Sequence, residues 1–326
     1  MSVPGEVEIG VVVNPAAGRF KDPGHWNPVL AQLRQEFPGA RIRQTEGPGD
    51  ERRAVGELLA RDVRRIIVAG GDGSVHQVVE TLLASPLSPA DRPTIGFVPL
   101  GSGNDFARGL GIPMDPVTAV HALSNAREVA VDIGRLTFLG ETPVRTVYWM
   151  NQSYLGFGAR VVDRVARGTR PADQSAYVRA SLRELLHARA HRYALKTDEG
   201  PEEWTESVNL LVTNGRYSGS GMLTSPRADP TDGAFDVVFV APIGRLRLLQ
   251  GLRRFRAGTH LELPEVRTWR VRSLIVKAER SDELVEADGD IVGKLPARYD
   301  VLPGALRVLV PTSGPAVTAS TASVPG

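Results

Sequence analysis

Residues 64–79 read RRIIVAGGDGSVHQVV, and the reading of this stretch decides the fold. Arg64–Ala69 is a short run rich in Ile, Val and Ala, the pattern of a buried strand. Gly70, Gly71 and Gly73 then surround Asp72, and Val75, Val78, Val79 and Leu82 follow at helical spacing. Flexible linkers are also glycine-rich, but a buried strand does not lead into them. Strand, bare turn and helix make half of a βαβ unit.

The same alternation extends to both sides. Val7–Val13 predicts a strand ending at Asn14-Pro15, and His25–Phe37 a helix with Trp26, Val29, Leu30, Leu33 and Phe37 on one face. Arg41–Thr45 predicts a strand, Asp50–Arg61 a helix with acids at its start, 74–84 a helix and 94–99 a strand. Alternating strands and helices imply right-handed crossovers and a doubly wound, mainly parallel α/β sheet, which binds ligands at the carboxyl ends of its strands. After about Asn125 the texture changes. Strand-like runs appear at Glu128–Phe138, Arg145–Gln152, Val208–Thr213, Ala234–Val240, Val266–Ala278 and Ala305–Val310, with helical insertions near 159–189 and 244–257. The alternation of Thr268-Trp269-Arg270-Val271-Arg272 marks a sheet with one wet face. The expected architecture is an α/β nucleotide-binding domain over 1–126, an antiparallel β-rich, sandwich-like domain over 127–302, and a disordered small-residue tail over 313–326.

Bulk composition narrows the function classes. With 326 residues the chain is long enough for two domains, and 42% hydrophobic with 23% charged residues is ordinary for a globular protein. No run approaches the roughly 20 apolar residues of a membrane span. MSVPGEVEIG is not a signal peptide, and the absence of cysteine excludes disulfides and thiolate metal sites, so the expected compartment is the cytoplasm. Thirty-nine Lys and Arg against 37 acids, a net charge of +2, argue against a nucleic-acid partner. Oligomeric state is not legible.

Three glycine loops follow three different strands: Asn14-Pro15-Ala16-Ala17-Gly18, Gly70-Gly71-Asp72-Gly73-Ser74 and Gly101-Ser102-Gly103-Asn104-Asp105. Glycine lets main-chain N–H groups converge on an anion, and a following helix adds its positive end. Ser74 is expected to cap the helix after the second loop. Each loop alone is more often a tight turn, but three on one sheet edge point to one extended polyphosphate or nucleotide site. A P-loop is excluded because no lysine follows these glycines, and the dinucleotide fingerprint fails because Phe106 replaces its last glycine. Asp72 and Asp105 would repel phosphates unless a divalent cation intervened, which points to Mg²⁺-nucleotide, the alternative being that both aspartates cap helices.

GGDGS at 70–74 with GSGNDFAR at 101–108 resembles the diacylglycerol kinase catalytic domain shared by bacterial lipid kinases, sphingosine kinases and ceramide kinases. NPAAG at 14–18, TEGPGD at 45–50, NQSYLGFGA at 151–159, TNGRYSGSGMLTSPRADPTDG at 213–233 and ADGDIVGKLPARYDVLPGALRVLVP at 287–311 agree in order, over nearly the whole chain. The resemblance implies an ATP- and Mg²⁺-dependent kinase of a lipid alcohol, diacylglycerol or a related lipid, with its active site in the cleft between the domains. It also implies that the last segment, about 303–312, returns to the first domain. By motif position ATP is expected against Asn14, Pro15, Ala17, Gly18, Thr45, Gly70, Gly71, Asp72, Gly73, Ser74, Gly101, Ser102, Gly103, Asn104 and Asp105. The family's D-G-E reads Asp288-Gly289-Asp290 here; Asp288 is assigned as proton acceptor, with Asp290 as alternate, and Asp72 joins them in catalysis. DGD by itself is also a β-turn signal. The resemblance further implies a structural Mg²⁺ held by the Asp232 carboxylate and the carbonyls of Asp229 and Ala234, where Asp232-Gly233 equally signals a hairpin. His76-Gln77 stands where the family usually has Asn-Glu, which removes an acid near the second loop.

A kinase of a lipid must visit a membrane, transiently, at its inner face. Ile243–Gly258 groups Leu248, Leu249, Leu252 and Phe255 on one helical face amid Arg245, Arg247, Arg253, Arg254 and Arg256, and Tyr177–Arg192 has similar character. The competing reading is a core-facing helix with solvated arginines. Two other functions are open: a GGDG-type kinase of a soluble substrate such as NAD, and a lipid- or nucleotide-sensing module weakened by Asp290 and His76-Gln77.

Overall fold

Strands of Val, Ile and Ala, covered on both faces by helices, form the sheet of the first of two units in a computed structural model that describes residues 8–18, 23–168 and 174–312. This unit comprises the chain up to Val131 together with the segment from Gly304, and the second is Asp132–Pro303. Its elements are β1 (Ile9–Val13), α1 (Pro23–Glu36), β2 (Arg41–Gln44), α2 (Glu51–Leu59), β3 (Arg65–Gly70), α3 (Asp72–Ala84), β4 (Thr94–Pro99), α4 (Asp105–Gly109) and α5 (Pro116–Ser124). The order β2-β1-β3-β4 is parallel throughout, with Ile9 facing Arg65 and Ile66 facing Ile95 in register. Val11, Val13, Ile67, Ala69 and Val98 pack there against Trp26, Val29 and Leu33 of α1 and Leu123 of α5. Every loop after a strand of this sheet therefore leaves from the same rim.

The chain leaves the first unit along β5 (Ala126–Phe138). The second unit then has β6 (Arg145–Trp149), β7 (Gln152–Gly156), α6 (Phe157–Ala166), α7 (Gln174–Leu185), β8 (His191–Thr197), β9 (Glu203–Ser207), β10 (Asn209–Thr213) and β11 (Phe235–Val240). It continues with α8 (Arg245–Ala257), β12 (Val266–Val271), β13 (Ser273–Ala278), β14 (Leu284–Ala287), β15 (Asp290–Lys294) and β16 (Ala297–Pro311). One antiparallel sheet has the order β12-β11-β10-β7-β14-β15. Opposite it, β9-β8-β13 continue antiparallel into the first residues of β16, and β5 pairs β6. Between the sheets lie Trp149, Phe235, Phe239, Leu155 and Tyr299, with the Trp149 and Phe235 rings 4.8 Å apart. Farther along, β16 pairs in parallel with β4 at Val308 and Ile95, within the first unit.

Several elements differ from the sequence reading. The run 145–152 is two strands in different sheets, β6 and β7, because the chain bends at Met150-Asn151. The run 266–278 also divides, at Arg272, whose N–H faces the Asp198 carboxylate at 3.3 Å. The helical segment near 159–189 is two helices, and its residues 169–173 lie outside the described residues, as do Val7 and the tail 313–326. Strands β8, β9, β14 and β15 were not anticipated; β9 is an edge strand whose charged residues hide any strand alternation. On α8 the expected docking face is divided: Leu248 is buried and Leu252 packs against the core of α6 and α7, whereas Leu249 is exposed.

His260, fully buried in the 3₁₀ turn Thr259–Glu262, donates from Nε2 to the Thr224 carbonyl at 3.0 Å and stacks on Phe255 at 3.8 Å. Burial pushes its imidazole down to about 4. The unfolded chain takes up this proton below about pH 6.5 while the folded chain does so only below about 4, so this contribution to stability is present near neutrality and is lost on acidification. The loss should reach about 3 kcal/mol by pH 4. Denaturant melts of wild type and His260→Leu between these pH values should show a shallower pH slope in the variant; identical slopes would assign the acid sensitivity elsewhere.

Candidate active site

The three glycine loops meet. A Cβ on Gly101 would lie 2.5 Å from the Gly71 Cα, and one on Gly18, at φ +50°, would strike the Leu100 carbonyl. Loop-to-loop packing thus accounts for these glycines. Gly73 is different: it is exposed in the first turn of α3, its φ is not positive, and an added methyl group would meet nothing within 4 Å. Nothing in the fold requires glycine there, although glycine costs a helix up to about 1 kcal/mol relative to alanine. The space in front of it, at the N-terminus of α3, is open.

Ser74 does not cap α3, contrary to expectation. Gly71 holds the extended cap position (φ −94°, ψ −175°), so the helix begins at Asp72 with no side-chain cap, and Ser74 is its third residue. Its Oγ instead accepts from Asn14 Nδ2 at 2.9 Å, tying the first loop to the second. Asn14 Oδ1 in turn accepts from the Ala16 N–H at 3.0 Å. The capping role falls to Asp72, across the chain. Its Oδ2 accepts from Asn104 N at 2.7 Å and Oδ1 from Asp105 N at 3.0 Å, at the start of α4. Asn104 itself is left-handed (φ 54°, ψ 41°) and closes its loop by accepting from Gly101 N at 3.1 Å and donating to Gly101 O at 2.8 Å. Asp105 is buried and Ser102 exposed. Thr45 follows β2, its N–H on the Val13 carbonyl at 2.8 Å, beside the first loop. Ala17 is packed into the core, so only its main chain can face a ligand. Sequence reading missed Glu51, buried at the start of α2 with Oε1 3.4 Å from Asn14 Nδ2 and Oε2 without a partner among the described residues. Its only signal was an acid directly after TEGPGD.

In the second unit Asp288 and Gly289 form the two-residue turn between β14 and β15, with φ of +49° and +96°, as a type I′ hairpin requires. The turn aims the Asp288 carboxylate at the bend between β6 and β7. There it accepts from Met150 N (2.7 Å), Asn151 N (2.9 Å) and Gln152 N (3.2 Å). A side chain held by three main-chain donors has one orientation. Asp290, two residues on, pairs with Ala287 through its main chain, while its exposed side chain makes no hydrogen bond or ion pair among the described residues. Two neighbours were not singled out from sequence. Glu286 is buried, accepts from Tyr154 N at 2.9 Å and is pushed well above the usual carboxylate range, first by burial. Gln152 donates to Gly215 O, Tyr217 O and Thr224 Oγ1, fixing the loop after β10. Both lie inside the quoted motifs, but only the fold reveals the contacts.

Asp229, Asp232 and Ala234 lie in the turn before β11. Asp232 Oδ1 accepts from Ala234 N at 3.1 Å and Oδ2 pairs with Arg270 at 2.5 Å; Asp229 Oδ1 accepts from Thr231. Asp132 Oδ2 accepts from Gly233 N at 2.7 Å, and burial pushes nearby Asp236 up to about 6. No cluster of three or more His, Asp or Glu side chains with metal-holding geometry occurs among the described residues. Both Asp232 oxygens are thus engaged, one by a main-chain N–H and one by Arg270, so a hard cation that keeps several waters would have to share this carboxylate with Arg270 or displace it.

A parallel α/β sheet, in a chain that continues into an antiparallel sandwich, is a fold shared with solved structures of a diacylglycerol kinase and of an NADH kinase. Residues 8–136 match the diacylglycerol kinase catalytic domain, and residues 151–310 the YegS C-terminal NAD kinase beta sandwich-like domain. A diacylglycerol kinase of Mycobacterium tuberculosis is 31% identical over 268 residues, 81% of this chain and 82% of that protein. A YegS-like lipid kinase of Pseudomonas aeruginosa is 31% identical over 283 residues, 84% and 85% of the two chains. The chain belongs to the diacylglycerol kinase and YegS-like lipid kinase family. A crystal structure of a diacylglycerol kinase from Bacillus anthracis, 21% identical and covering 94% of this chain and 98% of that one, superposes with a TM-score of 0.71. Yeast NADH kinase does so at 0.53 with 10% identity, a likeness of fold alone.

Proposed function

We propose that this protein transfers the γ-phosphate of ATP to the hydroxyl of a lipid alcohol, of which diacylglycerol is the first candidate. The observation that carries the reading is Asp72, which joins the GGDG and GSGND loops by two main-chain hydrogen bonds and so fixes an uncapped helix N-terminus beside them. The amides at that terminus, with Asn14 and Asn104, orient the phosphates, since such ends favour anions. Asp72 or Asp105 would hold Mg²⁺ beside the phosphates, where the cation would supply charge neutralisation between carboxylate and phosphate. Asp288 is the proton acceptor for the lipid hydroxyl, kept in one rotamer by its three donors, with Asp290 as the alternate. Asp229, Asp232 and Ala234 would hold a second, structural Mg²⁺ away from the reaction.

The test is ATP consumption by the purified protein with extracted lipid, with NAD and with no acceptor, in Mg²⁺ and in chelator, followed by mass spectrometry of the lipids. Lipid- and Mg²⁺-dependent ADP release with a new phospholipid is the expected result. Phosphorylation of NAD, or none of any lipid, would overturn the reading. Gly73→Ala probes the nucleotide end separately: stability should hold or rise by up to about 1 kcal/mol while the KM for ATP climbs several-fold. An unchanged KM would remove Gly73 from the site.

A further inference from the structure

We propose that the outward faces of α7 and α8 form the surface through which this protein docks on an anionic lipid bilayer, an inference that rests on the lipid-kinase reading for its purpose but not for its measurement. Eight large hydrophobic side chains are exposed among the described residues, and five of them sit on these two helices or the turn after α7. They are Val178 (52%), Leu182 (49%), Leu186 (63%), Leu246 (72%) and Leu249 (39%). Their spacing is helical: steps of four on α7 and of three on α8, so each helix carries a single apolar stripe. The helices already have a core of their own, since Ala180 and Leu185 pack with Leu248, Leu252 and Val161. The outward stripes therefore contribute nothing to that core. Concentrating apolar surface on adjacent elements, rather than scattering it singly, marks an interaction face.

Charge chooses the occupant. Helix α8 carries five arginines and no acid in 13 residues. Arg247 pairs with Glu265 and Arg254 with Glu262, whereas the side chains of Arg245, Arg253 and Arg256 have no ion pair or hydrogen bond among the described residues. Arg253 lies seven residues after Leu246 and four after Leu249, so a cation stands on the apolar stripe itself, and Arg245 and Arg256 flank it. A second copy of the chain would bring five arginines against five, which is repulsive. Anionic headgroups above an acyl layer satisfy both features at once. Of the face that the sequence pattern suggested, Leu248 and Leu252 are taken up internally and Leu249 stays exposed, so the outward stripe of α8 is Leu246 with Leu249.

Flotation of the full chain with phosphatidylcholine vesicles, and with mixed phosphatidylglycerol–phosphatidylcholine vesicles, tests the proposal without any turnover. Wild type should float with the mixed vesicles and lose binding as salt rises. Leu182→Glu/Leu246→Glu should lower partition at least tenfold, and Arg253→Gln/Arg256→Gln roughly fivefold per arginine removed. All four positions are exposed, so wild-type melting temperatures and wild-type turnover of short-chain diacylglycerol in detergent micelles are expected of both variants. Docking stands, and the kinase reading falls, if wild type floats but phosphorylates no lipid. Failure of wild type to float, variants that float as well as wild type, or a dimer that the leucine variant splits, would each overturn the proposal.

Discussion

Asp72→Asn is expected to lower turnover of lipid phosphorylation by on the order of a hundredfold or more. The carboxylate accepts from two successive N–H groups, those of Asn104 and Asp105, one on each oxygen. An amide in its place can meet one of them with its oxygen and must turn its NH₂ on the other. One amide at the start of α4 then loses its partner, at a cost of about 1–3 kcal/mol. The left-handed Asn104 loses the tie that holds its loop against Gly71, and the negative charge available to a metal disappears as well. Melting temperature and kcat measured together separate the two effects. A fall in kcat with unchanged stability assigns Asp72 to charge alone, a fall in both assigns it also to the loop, and normal turnover removes it from the mechanism.

Asp288→Asn is expected to cost at least as much. Three donors, the amides of Met150, Asn151 and Gln152, converge on this carboxylate at 2.7–3.2 Å, and an amide side chain would present a donor to at least one of them. The bend that separates β6 from β7 would loosen while the proton acceptor is removed. Asp290→Asn is the control, because its exposed side chain supports nothing and the melting temperature should not move. If Asp290→Asn shows the hundredfold loss and Asp288→Asn retains near-normal turnover, proton transfer belongs to Asp290 and Asp288 is a positioning residue.

The family membership makes both variants informative, since each alters one carboxylate in a quoted motif. Comparison with Gly73→Ala, which should change KM for ATP more than kcat, distinguishes loss of nucleotide contacts from loss of the chemical step.

By itself the sequence determined the α/β start, the β-rich continuation, the three glycine loops and the family. These are local patterns: apolar runs of strand length, helical spacing after Gly71, and short motifs whose residues are contiguous. Only the tertiary structure decided which glycines serve packing and which leaves open space, that Ser74 answers Asn14 rather than capping its helix, and that Asp72 and Asp288 are held by amides 32 and more than 130 residues away. It also split the runs 145–152 and 266–278 between two sheets and turned one side of α8 inward. Such outcomes depend on partners brought together by long-range pairing, and no window along the chain contains both halves of those contacts.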